Sequence, residues 1–115
     1  MMNHVELIGR VSNDPKLEVS SKGKHSLFFN LAVGRSYVKD GEDRKTDFIP
    51  ISVFGKLAEL IADKLKKGPE LVLVEGELQT WNKEKESGAR EKQMGVTVNR
   101  ILILGKLDRE ERKIA

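Results

Sequence analysis

The segment from Thr46 to Glu59 limits the possible folds of this chain more than any other. Its first part alternates like a β-strand, with one side formed by Ile49, Ile51 and Val53 and the other by Phe48, Pro50, Ser52 and Phe54. From Leu57 onward, the spacing of apolar residues changes to that of an amphipathic helix. The isoleucines and the valine predict a side that faces the core. This segment is therefore a strand of a sheet that leads directly into a helix.

The other side of the same strand carries two rings, Phe48 and Phe54, separated by a proline and a serine, and Lys56 follows closely. Rings spaced along an exposed strand, with cations nearby, are typical of surfaces on which unpaired nucleobases stack. A strand buried on both faces would show a similar pattern of apolar residues. The segment alone leaves both interpretations open.

The rest of the chain predicts four more strands. With the strand just described, the predicted strands cover residues 3–11, 25–35, 46–54, 70–81 and 92–104. Leu17 and Val19 can extend the first strand beyond a bend at Asn13-Asp14-Pro15. The helix is marked by Leu57, Leu60, Ile61 and Leu65, and Gly68-Pro69 is expected to end it. Charged loops are predicted at residues 36–45 and 82–91.

The order of three strands, one helix and two strands is that of the OB-fold. We therefore predict an all-β domain with one helix, a five-stranded antiparallel barrel in which the helix lies between the third and fourth strands. Gly9, Gly34 and Gly76 supply curvature, and Gly76 predicts a bulge or bend within its strand. An open five-stranded sheet covered by one helix is the alternative. The domain is expected to span residues 1–106, followed by a short polar tail at 107–115.

Composition excludes several kinds of site. There are no cysteines, and His4 and His25 are the only histidines, which argues against a zinc site and against disulfides. We expect no cofactor and no metal. Nothing resembles a signal peptide or membrane span, so a cytoplasmic protein without membrane contact is expected. The net charge is only +3, so any affinity for nucleic acid has to come from the local placement of charge.

Five blocks of residues resemble bacterial single-stranded DNA-binding proteins, and they occur in the same order as in that family. They are residues 3–11 with Asp14-Pro15, Leu31-Ala32-Val33, residues 54–59, residues 65–68 and residues 74–78. The resemblance covers residues 3 to 104. It implies an OB-fold that binds single strands with little sequence preference, usually as a homotetramer, and that performs no chemistry. Roles in DNA replication, recombination and repair, in a bacterium or a phage and at the nucleoid, are what the family implies.

The resemblance also implies which rings stack on bases. The family's stacking aromatics fall on Tyr37, Phe48 and Phe54, and all three are aromatic here. A further family aromatic falls on Lys83, which has no ring. Trp81 lies two residues earlier, and because side chains alternate along a strand it can present its ring to the same face. We interpret Trp81 as a displaced equivalent; a tryptophan that packs on its hairpin loop is the alternative.

Basic residues would supply the salt-dependent contacts to phosphate. For each of them, an ordinary solvated surface charge is as good an interpretation as a phosphate contact. The candidates are Arg10, Lys24, Arg35, Lys39, Arg44, Lys45, Lys56, Lys67, Lys83, Lys85, Arg90 and Lys92.

The end of the chain departs from the family pattern. Members that recruit replication and repair enzymes end in a long linker and an acidic tip, whereas residues 108–115 carry charges of both signs. The chain is then either shortened or a short, specialised form, such as those of phages, mobile elements or transformation systems. We expect no recruitment of replication proteins through such a tip.

Two other functions compete with single-strand binding. An enzyme would need a catalytic constellation, and the sequence has no Ser/His/Asp order and no glycine-rich phosphate loop. We therefore expect no enzymatic activity. The second alternative is an OB-fold accessory protein of the primosome or of recombination that acts mainly through protein–protein contacts.

Overall fold

The computed structural model describes residues 1–106 of the chain. It contains six strands and one helix, in the order β1 (Val5–Val11), β2 (Lys16–Val19), β3 (His25–Gly34), β4 (Thr46–Phe54), α1 (Lys56–Ile61), β5 (Leu71–Glu84) and β6 (Arg90–Gly105). The predicted order of elements is confirmed, with the Leu17–Val19 piece as a separate short strand. The polar tail predicted at 107–115 lies outside the described residues.

Five of the strands close into a ring. β1 pairs with β5, β5 with β6, β6 with β4, β4 with β3, and β3 returns to β1, while β2 adds to the outer edge of β3. Two of the seams are short: β1 meets β3 only at Arg10 and Val11, and β4 meets β6 only at Ile51 and Ser52. The ring is therefore a partly open barrel, as the OB-fold is.

The β4–β6 seam corrects one detail of the prediction, because these two strands run parallel. The other four seams of the ring are antiparallel, as expected. The cause is the odd number of strands. Direction can alternate around a closed ring only when the number of strands is even, so a ring of five must contain one parallel pair.

The core lies inside the ring and is formed by alternating apolar residues of the strands, as the alternation in the sequence predicted for β4. Leu27, Phe29 and Leu31 of β3 and Ile51 and Val53 of β4 are all buried. They pack with apolar residues of the other elements, namely Val11, Ala58, Leu65, Val72, Val74, Val96, Val98 and Ile101. On the opposite side of β4, Phe48 and Phe54 are exposed and Pro50 and Ser52 are half-buried, so the interpretation of this strand as buried on both faces is wrong.

The pairing of β5 with β6, the two longest strands, contains a bulge at Gly76. This is the position at which the sequence predicted a bulge or bend. Glu75 of β5 pairs with Arg100 and Gly76 pairs with Val98, which leaves Asn99 as an extra residue in β6. A Cβ at Gly76 would lie 2.0 Å from the carbonyl oxygen of Thr97, so only glycine allows the strands to approach here. The bulge thus separates the β5–β6 hairpin into two halves.

The helix is shorter than predicted. α1 ends at Ile61, and a tight turn follows in which the Lys64 N–H donates to the Ile61 carbonyl at 2.9 Å. Leu60 is exposed, and Leu65 is buried from beyond the helix rather than from within it. The helical spacing therefore came partly from a turn. α1 packs against β3 and β4.

The β5–β6 hairpin is longer than predicted. Its strands continue to Glu84 and resume at Arg90, so only residues 85–89 form the loop. Long charged side chains obscured this extension in the sequence, because they are common both in loops and on solvated strands. No helix within residues 1–106 is long and apolar enough to cross a membrane.

Candidate nucleic-acid interface

A cleft of about 750 Å³ crosses the outer face of β3, β4, β6 and β5. These strands are neighbours in the sheet, so their outward side chains form the continuous floor of the cleft. The outward residues that line it are Lys16, Phe28, Asn30, Pro50, Ser52, Phe54, Gln79, Trp81, Lys83, Gln93 and Thr97, and Asn13 lies at its rim. This cleft contains two of the four predicted stacking rings.

Phe54 stands at one side of the cleft, at the end of β4. Half of its surface is exposed. Its ring meets that of Phe28 from β3 at nearly a right angle, with the ring centres 6.0 Å apart. Phe28 lies opposite Ser52 in the register of the two strands, so both rings point outward. Edge-to-face contact fixes the two rings relative to each other and leaves ring surface open to a ligand.

Trp81 stands at the other side of the cleft, on β5. It lies opposite Gln93 of β6, and its neighbours on the same face are Gln79 and Lys83. The indole lies over Gly95, where a Cβ would be 3.1 Å from the Cη2 atom of the ring. The ring thus rests on strands rather than on the hairpin loop, and 40% of its surface stays exposed.

The structure does not bring the other two predicted rings into this cleft. Phe48 is exposed on the same side of β4, in a neighbouring groove with Leu78 and Met94. Pro50 lines both the groove and the cleft. Tyr37 is 75% exposed in the loop between β3 and β4. The rings therefore form a pair across the cleft and two outlying positions.

Between the rings, the floor of the cleft is uncharged, with amide and hydroxyl side chains beside Pro50. The Thr97 hydroxyl donates to the side-chain oxygen of Gln79 at 2.8 Å. At the rim, the Asn30 backbone N–H donates to the side-chain oxygen of Asn13 at 2.7 Å. Amides and hydroxyls of this kind can accept and donate hydrogen bonds at the edges of a base without attracting a particular charge.

Of the predicted basic residues, Lys83 lines the cleft and Lys56 lies two residues from Phe54, at the start of α1. The others are spread over the rest of the surface. Lys24, Lys39, Arg44, Lys45 and Lys67 lie in connections between elements, Arg10 is on β1, Arg35 follows β3, and Lys85, Arg90 and Lys92 belong to the tip of the β5–β6 hairpin. Lys92 pairs with Asn82, which puts it on the opposite face of the hairpin from Trp81.

Several of these cations are already engaged. Arg35 donates two hydrogen bonds of 3.0 Å to the carboxylate of Asp47, which lowers the pKa of Asp47 and raises that of Arg35. Arg44 donates to the Arg35 carbonyl at 2.7 Å, and Arg10 donates to that of Pro69 at 3.2 Å. Lys85 forms an ion pair with Glu91. Such pairs hold the base of the β3–β4 loop and the tip of the hairpin.

The chain matches the model of the Single-strand binding protein family over residues 2–104. It belongs to this family. The match covers all six strands and the helix except the last residue of β6, and membership implies the OB-fold that the ring of strands displays.

Individual family members are similar over most of the chain. The chain is 47% identical over 90 residues to a single-stranded DNA-binding protein of Caldanaerobacter subterraneus subsp. tengcongensis, an alignment that covers 78% of this chain and 59% of the relative. It is 41% identical over 90 residues to Single-stranded DNA-binding protein 1 of Staphylococcus aureus, with 78% and 57% covered. For Single-stranded DNA-binding protein A of Bacillus subtilis the identity is 40% over 90 residues, with 78% and 52% covered. The match thus spans a little over half the length of these curated relatives.

Several residues in and around the cleft were not predicted from the sequence. Phe28 was visible as one ring on an otherwise small and polar face of its strand, but its contact with Phe54 depends on the pairing of β3 with β4. Lys16 lines the cleft because β2 pairs with β3. Gly95 had no signal in the sequence, since its importance arises from the approach of Pro50 and Trp81.

Proposed function

We propose that this protein binds single-stranded DNA with little dependence on sequence, and that it covers exposed strands during replication, recombination or repair. The observation that carries the proposal is the pair of exposed rings, Phe54 and Trp81, on one face of the sheet with lysines beside them. Every base has a π-face, so stacking tolerates any sequence. The names of the relatives, which refer to single-stranded DNA, support the same ligand.

Stacking supplies most of the contact energy in this proposal. Each base stacked on a ring contributes roughly 1–3 kcal/mol. Phe54 and Trp81 in the cleft, with Phe48 and Tyr37 further along the path, give a site that holds several nucleotides. A duplex keeps its bases paired and stacked on one another, so it cannot use these rings.

The path of the strand follows from the arrangement of the rings. Pro50 borders both the cleft and the groove of Phe48, so a strand can pass from one to the other over β4. Among the cations predicted from the sequence, Lys83 in the cleft and Lys56, two residues after Phe54, contact phosphates beside the rings in this proposal. The predicted cations of the β3–β4 loop and of the hairpin tip act further out, where they add a salt-dependent attraction.

We further propose a homo-oligomer, with the number four taken from the family resemblance. The outer face of β1, β5 and β6 carries an apolar row across three strands, in which Ile8 pairs with Leu73 and Leu73 with Leu102. Ile8 and Leu102 are exposed, and Leu104 extends the row. A second copy that covered this face would bury the row, and joined protomers would offer DNA a longer path with higher effective concentration.

We also propose that the protein acts without catalysis, cofactor or membrane contact, in the cytoplasm and at the nucleoid. Its relatives are named for what they bind and not for a reaction. Recruitment of other replication proteins is not part of the proposal.

The test is a titration with labelled oligo-dT of increasing length, in parallel with a duplex of equal length and with mass measured by light scattering. Affinity should rise with length, fall with salt by about 0.7 log units per log unit of salt for each phosphate contacted, and exceed that for duplex by a wide margin. Equal binding to the duplex would indicate a generic basic surface. Weak, length-independent binding by an intact oligomer would favour the accessory protein that acts through protein contacts.

A further inference from the structure

The cleft continues past Phe54 to the short strand β2. Lys16 of β2 is the direct cross-strand partner of Phe28, and both side chains line the cleft. We propose that Phe28 and Lys16 form an additional nucleotide subsite, in which one base stacks against Phe28 and its phosphate contacts Lys16. The inference rests on the proposed single-strand binding and deepens it.

The geometry of Phe28 suits a stacked base. Its ring is more than one-third exposed, although it lies on the outer face of a strand whose other outward residues are small or polar. Its contact with Phe54 is edge-to-face, at 83° between the ring planes. Two rings at a right angle form a corner, so a base on one ring meets the other at its edge, which is a favourable aromatic arrangement.

Lys16 lies where a phosphate of that nucleotide would be. Directly opposed residues of antiparallel strands have Cβ atoms about 4.5–5.5 Å apart, so a lysine can extend beside the ring of its partner. Among residues 1–106, no carboxylate lies within ion-pair distance of the Lys16 ammonium. Its charge is therefore not neutralised by a neighbour.

The surroundings confine the anion to the Lys16 end of β2. Glu18, two residues along the same face, pairs with Ser26, and Ser26 in turn pairs with Phe54. The Glu18 carboxylate would repel a phosphate on the β2 side of Phe54. At the other end, Asn13 and Asn30 contribute neutral amides at the rim of the cleft. A strand that reaches β2 is thus directed over Phe28 toward Lys16.

Two single variants separate the ring from the charge. Phe28→Leu keeps an apolar side chain of similar size and removes the π-face, whereas Lys16→Gln keeps a long polar side chain and removes the charge. Lys64→Gln, at an exposed lysine in the turn after α1, is the matched control for charge, and Leu60→Ala, at an exposed leucine of α1, is the control for apolar surface. Urea unfolding of each variant establishes that it is folded.

The readout is the affinity for oligo-dT over a range of salt concentrations. Phe28→Leu should weaken binding by about fivefold or more at every salt concentration without changing the slope, because stacking is not ionic. Lys16→Gln should reduce the slope of log affinity against log salt by about 0.7, the value for one phosphate on a single strand. The control variants should match the wild type in both quantities.

The outcomes separate this inference from the function on which it rests. A wild-type protein that fails to bind oligo-dT overturns the proposed function and the subsite together. A wild type that binds, with Phe28→Leu equal to it in affinity or Lys16→Gln equal to it in salt slope, overturns the subsite alone. A Lys16 that merely covers the Phe28 ring would leave the salt slope unchanged.

Discussion

Replacing Gly95 by alanine tests the seam on which the cleft depends. A Cβ at this position would lie 2.6 Å from the carbonyl oxygen of Pro50 and 3.1 Å from both the Pro50 Cβ and the Trp81 Cη2. Contacts below 3.0 Å are essentially never found for a Cβ, so β4 and β6 must separate here by at least about 0.4 Å. The adjacent β4–β6 seam has only two residue pairs to resist that displacement.

The expected cost follows from the size of the displacement. Gaps of 0.5–1 Å forfeit about a quarter to a half of the dispersion energy of the atoms concerned, and overpacking of this kind typically costs about 1–3 kcal/mol. Gly34→Ala is a matched control, since Gly34 is also a strand glycine but its Cβ would meet only the Arg44 Cδ, at 3.4 Å. There the lower entropy of the unfolded chain makes alanine neutral or stabilising by up to about 1 kcal/mol. We therefore expect the two variants to differ by about 1–4 kcal/mol in the free energy of unfolding.

Urea unfolding measures this difference, and Trp81 emission in the absence of DNA reports on the indole. Gly95→Ala should lower the unfolding midpoint and shift the emission, because the indole over Gly95 has to move by a few tenths of an ångström. The affinity for oligo-dT should fall with it. A Gly95→Ala protein as stable as Gly34→Ala, with an unchanged spectrum, would refute the close approach of β4, β6 and the indole.

Three further expectations follow from the cleft and the loop base. Saturating oligo-dT should quench the emission of Trp81, the only tryptophan; an unchanged spectrum would remove Trp81 from the stacking surface. Phe54→Ala should weaken binding by roughly 1–3 kcal/mol and reduce stability by less than the 3–5 kcal/mol typical of a buried phenylalanine, since half of the ring is exposed; a large loss of stability with unchanged affinity would contradict this. Arg35 lowers the pKa of Asp47 below its ordinary 3.8, so the pair stabilises the fold above that pH and the contribution disappears as the pH falls through the lowered value. Melting temperatures of wild type and Asp47→Asn should accordingly differ slightly at neutral pH and converge in acid, and a constant difference would count against the ion pair.

The sequence predicted well those features that depend on neighbouring residues. The alternation in residues 46–54 identified both the buried side of β4 and the exposed rings, because a strand fixes which side chains share a face. The glycine at 76 indicated the bulge for the same local reason. The order of elements then selected the fold.

What the sequence could not predict depends on register between distant segments. Phe28 touches Phe54 and Lys16 because of two pairings that no local pattern encodes. Leu65 has helical spacing to Ile61, yet a turn carries it into the core. Phe48 and Phe54 share one side of β4, and only the closed ring of strands shows that Phe54 lines the cleft whereas Phe48 lines the neighbouring groove.

The extra residue in β6 determines what the hairpin can display. Because side chains alternate, Asn99 reverses the parity of β6, so that Val96 and Val98 point into the ring on one side of it and Ile101 and Ile103 on the other. If Asn99 were instead part of a regular, unbulged strand, one half of β6 would turn inside out, which would expose Ile101 and Ile103 and drive Arg100 inward. A single extra residue thus allows one pair of strands to present the uncharged floor of the cleft at one end and an apolar row at the other.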